Sequence, residues 1–112
     1  MRCVTDWETS CLERKTISLP RLGRLTPTLE STMLKITEEV GELAQAIGKF
    51  RGLSGEQDIK PDEEVVRAIV SELLDVAQTA TSMMFVIEDL YGIDMEAEME
   101  KHIEKLKQKG YL

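Results

Sequence analysis

Residues 62–91 read DEEVVRAIVSELLDVAQTATSMMFVIEDLY, and how this stretch is read decides the fold. No glycine or proline interrupts it, its residues are those that helices favour, and Gly92 supplies a C-terminal stop. Val65, Val66, Ile69, Val70, Leu73 and Leu74, then Met83 through Ile87 and Leu90, leave little of the circumference polar. The expectation is a central helix covered on several sides. One polar stripe interrupts the apolar surface. With Glu72 at zero and about 100° per residue, Asp75, Thr79, Ser82 and Ala68 fall within about 80° of it on one side.

Working outward, RGLSGEQDIKP at 51–61 breaks the periodicity with two glycines, a serine and Pro61, and is expected to be an exposed loop. Before it, Leu29, Met33, Ile36, Val40, Leu43 and Ile47 recur at steps of four and three, predicting a helix over 26–50 that packs along this seam. Thr26 and Pro27 read as its N-cap and first residue. After the central helix, Asp94 can cap a third helix running to Lys109, acidic at its start and basic at its end, with Gly110 closing it. Residues 1–25 are punctuated by Pro20 and Gly23 and leave room for one short N-terminal helix. The fold class is therefore all-α: a bundle of three main helices in one 112-residue domain, completed by oligomerisation.

Charge narrows the function. The net charge is -7, and between 61 and 92 seven acids face a single base, Arg67. A binder of long nucleic acid needs a basic face to neutralise phosphates, and none is present. No apolar run is long enough to span a bilayer, which points to a cytoplasmic protein. Cys3 and Cys11 are too few for a zinc site even with His102, and read as reduced thiols.

The acids fall into two pairs with one spacing. Glu39 and Glu42 on the first helix are three apart, as are Glu72 and Asp75 on the second, so each pair occupies adjacent turns of one face. Packed side by side, the two helices would bring four carboxylates to one point. Buried carboxylates either take up protons or find a cation. An all-oxygen donor set without histidine favours Mg²⁺, with Mn²⁺ as a substitute, over a di-iron centre. A Glu-Glu-x-x-Glu run by itself is more often a solvated helix face, and SELLD at 71–75 can instead serve a buried ion pair with Arg67 or a lysine.

Together, Glu38-Glu39-x-x-Glu42 and Glu72-x-x-Asp75 resemble the paired signature of the MazG-like all-α nucleoside triphosphate pyrophosphohydrolases. SLPRLGRLTPTLESTMLKITEEVGELAQAIGKFRG resembles the opening of these proteins, and HIEKLKQKGYL their basic closing segment. The resemblance implies a Mg²⁺-dependent enzyme, dimeric or tetrameric, that cleaves a nucleoside triphosphate to the monophosphate and pyrophosphate. It makes Glu39, Glu42, Glu72 and Asp75 the metal ligands and Glu38 the candidate to orient or deprotonate water, or to hold a further ion. Basic residues should complete such a site, and Lys49, Lys101 and Lys105 are the candidates for substrate phosphates. Three alternatives stay open: dUTP as substrate, phosphoribosyl-ATP as substrate, and a non-catalytic helical module that binds metal or nucleotide.

Overall fold

The computed structural model describes residues 12–52 and 63–112. Cys3, Cys11, Trp7 and most of the expected 51–61 loop lie outside the described residues, as does Pro61. Three helices are present: α1 Leu29–Phe50, α2 Glu63–Tyr91 and α3 Met95–Gln108, with no strand among the described residues. The all-α expectation holds. Residues 12–28 form no helix, so the room left for an N-terminal helix is not used there.

The chain divides into two compact units. In the first, Pro20–Ile93, α1 packs along α2 and a non-helical segment, residues 20–28, with a turn at Gly23 and Arg24, leads into α1. That segment is tied to α2 by side chains. Gln78 Nε2 donates to the Pro20 carbonyl at 2.8 Å, and the Arg21 guanidinium donates twice to Asp89, at 2.6 and 3.1 Å. Arg21 also lies over the Phe85 ring, 4.4 Å from its centre.

The start of α1 differs from expectation. Thr28, not Thr26, is the N-cap: its Oγ1 accepts from the Ser31 N–H at 3.0 Å while Ser31 Oγ accepts from the Thr28 N–H at 2.8 Å. This reciprocal box needs a polar side chain at the third helical position. Thr26 would have Leu29 there, which can return no bond. At the far end Arg51 caps the helix and Gly52 takes a φ of 70°, a conformation that glycine adopts without a Cβ clash.

The apolar seam also differs from expectation. Leu29, Ile36 and Leu43 are half-buried, but Met33, Val40 and Ile47 stand exposed. The α1 residues that are buried are Thr32 and Glu39, and those of α2 are Thr79, Ser82 and Val86. The central helix is thus covered along one stripe rather than on several sides. Val66, Val70, Leu73, Leu74 and Met84 remain exposed in the single chain. The physical reason is that the stripe α2 turns to α1 is its polar one, which leaves the aliphatic residues on the opposite arc.

The second unit contains α3. Asp94 caps it by accepting from the Glu96 and Ala97 N–H groups at 3.0 and 3.4 Å, and Glu96 and Glu98 complement the positive end of the helix. Among the described residues, no helix is long and apolar enough to cross a membrane.

Candidate metal centre

The polar stripe between α1 and α2 gathers carboxylates. One oxygen each from Glu39, Glu72 and Asp75 lies within 4.8 Å of the others. Helix geometry makes this possible because three residues turn the chain through about 300°, so Glu72 and Asp75 rise on adjacent turns of the side that meets α1.

Burial sharpens the arrangement. Glu39 is only 5% exposed; its Oε1 accepts from Lys35 Nζ at 3.0 Å, but its buried Oε2 has no partner. Glu72 Oε2 is likewise buried without a partner. A charged oxygen deprived of both water and a donor is costly, and native interiors rarely keep one without reason. Two such atoms within one cluster are what a cation would satisfy. The donor set is all oxygen, which suits a hard divalent ion of the Mg²⁺ or Mn²⁺ kind.

Glu42 belongs to the same field. The Glu39 charge, then loss of solvent, then the Glu72 charge push its carboxyl above the ordinary range. A proton on Glu42 offsets part of the crowding, and a divalent cation would do the same more effectively. Lys35 answers from its own helix: its hydrogen bond to Glu39, with the charges of Glu39, Glu38 and Glu42, holds the ammonium above its usual range.

The remaining candidates are more dispersed. Glu38 is exposed, and it is not among the three clustered carboxylates. Lys49 borders a hollow of about 350 Å³ that Glu42 and Glu72 also line. Lys101 and Lys105 lie on α3 in the second unit, and Lys101 pairs with Glu98 at 3.2 Å. Arg67, the alternative partner for Glu72, pairs instead with Glu63 at 2.6 Å.

Sequence reasoning passed over Lys35, although its spacing of four from Glu39 was a readable signal. Gln78 and Arg21 carried no such signal, because their partners are 58 and 68 residues away in the chain.

On the far side of Glu39 and Asp75 is a second hollow, of about 410 Å³, which both residues line together with Thr79, Ser82 and residues of the 22–27 segment. Two half-open spaces therefore flank the carboxylates. A charged cluster between two hollows can hold an extended polyanion once a cation has reversed its sign.

Comparison with curated proteins and with solved structures returns no significant match. The model of one family does match, and it covers residues 27–110, the span that carries both acidic pairs. The chain belongs to the family of the MazG nucleotide pyrophosphohydrolase domain.

Proposed function

We propose that the protein hydrolyses a nucleoside triphosphate, ribo or deoxy, to the monophosphate and pyrophosphate in a Mg²⁺-dependent reaction, acting in the cytoplasm as a homodimer or homotetramer. One observation carries the reading: three carboxylates from two helices within 4.8 Å, two of them with buried oxygens that nothing satisfies. Glu39, Glu42, Glu72 and Asp75 would hold the metal, with Mn²⁺ able to replace Mg²⁺. When bound, the ion neutralises the triphosphate and polarises the phosphoryl group under attack. Glu38, one position before the buried Glu39 and itself exposed, is assigned to orient or deprotonate the attacking water, or to hold a further ion. Lys49, which lines one hollow with Glu42 and Glu72, is assigned to the departing pyrophosphate. Hydrolysis of this type depends on positioning and charge stabilisation and requires no covalent nucleophile.

The test is pyrophosphate release across a panel of canonical and modified nucleotides, with dUTP and phosphoribosyl-ATP included, in Mg²⁺ and in chelator. Asp75→Asn is expected to abolish release while the helical circular dichroism is retained. Wild-type protein that binds metal and nucleotide but forms no product from any of them would identify a non-catalytic module instead.

Oligomerisation rests on the exposed aliphatic arc. Leu73 is 52% exposed, Leu34 72% and Val40 50%, aliphatic side chains that a second copy of the chain would cover. Light scattering should give a dimer or tetramer mass, and Leu73→Glu should reduce it.

A further inference from the structure

Among the hydroxyls of the α1–α2 stripe, one behaves unlike its neighbours. Thr32 Oγ1 donates to the Thr28 carbonyl at 2.7 Å and Thr79 Oγ1 to the Asp75 carbonyl at 3.0 Å, the usual outlet for a hydroxyl within a helix. Ser82 does not take that outlet. Its side chain is 6% exposed and its buried Oγ has no partner.

Ser82 lines the hollow of about 410 Å³ that is bordered by Leu22, Leu25 and Pro27 and that also reaches Glu39 and Asp75. The seven steps from Asp75 to Ser82 correspond to about 10 Å along the helix axis, on one face. A nucleotide whose α-phosphate lies at the carboxylates would bring its base about as far as Ser82. No aromatic residue lines this hollow, whereas Phe85 and Tyr91 line a hollow of about 620 Å³ that Ser82 also borders, so discrimination within the smaller one falls to hydrogen bonding and shape.

We propose that this hollow receives the nucleoside half of the substrate and that Ser82 is a specificity-determining residue, its hydroxyl bonding a polar edge of the base. The proposal rests on the pyrophosphohydrolase reading above. The hollow joins the apolar side chains of Leu22, Leu25 and Pro27 to polar ones, and Ser82 and Glu39 each carry a buried oxygen without a partner, a lining that fits a flat ring with hydrogen-bonding atoms at its rim. The hydroxyl can donate or accept, so it orients whichever base edge it meets, and the loss of that contact is felt in binding.

The experiment measures KM and kcat of the wild-type protein and of Ser82→Ala and Ser82→Thr across the four bases in ribo and deoxy form, with Mg²⁺. Ser82→Ala should raise KM for the preferred base about tenfold while kcat falls less than threefold, the pattern of a lost ground-state contact. The preference among bases should flatten, and Ser82→Thr, which keeps the hydroxyl, should restore most of it. The melting temperature in chelator should hold or rise in Ser82→Ala, since an unpaired buried group is being removed. Base preference unchanged within twofold overturns the proposal, as does a change confined to the ribo against deoxy ratio. A lowered melting temperature with KM unchanged would also overturn it, since it would mean that the hydroxyl serves only a structural water. In each of those cases Asp75→Asn still abolishes turnover, so the pyrophosphohydrolase reading stands; a wild-type protein inert toward the whole panel overturns both.

Discussion

Replacing Glu72 by glutamine should have opposite effects on stability with and without metal. The variant keeps the size of the side chain and removes one charge from a cluster whose oxygens lie within 4.8 Å of one another. Two like charges at that separation repel by about 3.5 kcal/mol at an effective dielectric of 20 and by about 0.9 kcal/mol in bulk water. Glu39 is buried and Asp75 exposed, and Lys35 already offsets part of the Glu39 charge, so the relief should be on the order of 1–3 kcal/mol. For a chain of this size, each kcal/mol moves the melting temperature by roughly 4–5 °C. In chelator, Glu72→Gln should therefore melt roughly 5–15 °C above wild type.

Metal reverses the order. A divalent ion at a hundred times its dissociation constant stabilises the native state by about 2.7 kcal/mol, or roughly 10 °C here. The variant, having lost a charged ligand, should gain little. Differential scanning calorimetry at one protein concentration, in chelator and then with Mg²⁺ or Mn²⁺, reads both effects. A variant that melts below wild type in chelator and keeps the full metal increment would refute the reasoning. Glu72 would then be a structural carboxylate with a partner of its own.

Two further outcomes follow from the first unit. Thr28→Ala removes the α1 capping box and should cost about 1 kcal/mol, a drop of roughly 4–5 °C in melting temperature, whereas Thr26→Ala should cost much less. The Arg21 hydrogen bond, and to a smaller degree its charge, holds the Asp89 carboxyl below its ordinary 3.8. The unfolded state then binds the proton more readily, so this contribution is present above pH 3.8 and is lost as pH falls through the lower folded value. The stability difference between wild type and Asp89→Asn, measured by urea denaturation, should be constant from pH 7 to 5 and shrink below pH 3.8. High salt should reduce it, because the pair is exposed.

Much of the site was legible because helical periodicity is a property of one segment at a time. The spacing of three in Glu39/Glu42 and in Glu72/Asp75 assigns each pair to a face, and the apolar surroundings of Glu72 and Asp75 argue against open water. The stripe of Thr79 and Ser82 was visible in the same projection. What it could not tell is which hydroxyl bonds its own helix and which is left without a partner, since that depends on rotamers set by the packing.

By itself the amino-acid sequence determined the helical class, the two acidic pairs and the helix stops at Gly92 and Gly110, which adopt φ values of 63° and 80°. These follow from local propensity, periodicity and the freedom of glycine at positive φ. Only the tertiary structure decided how much of α2 is covered. The polar stripe meets α1, as the acidic pairs require, with Glu39, Thr79 and Ser82 buried there, while Leu73 and Val70, which hydrophobicity alone would place under cover, stay exposed in the single chain. Helix rotation is a balance over all contacts at once, and the clasp of Arg21 on Asp89 and of Gln78 on Pro20 contributes to it from residues far away in the chain. No reading of single segments could weigh those contacts.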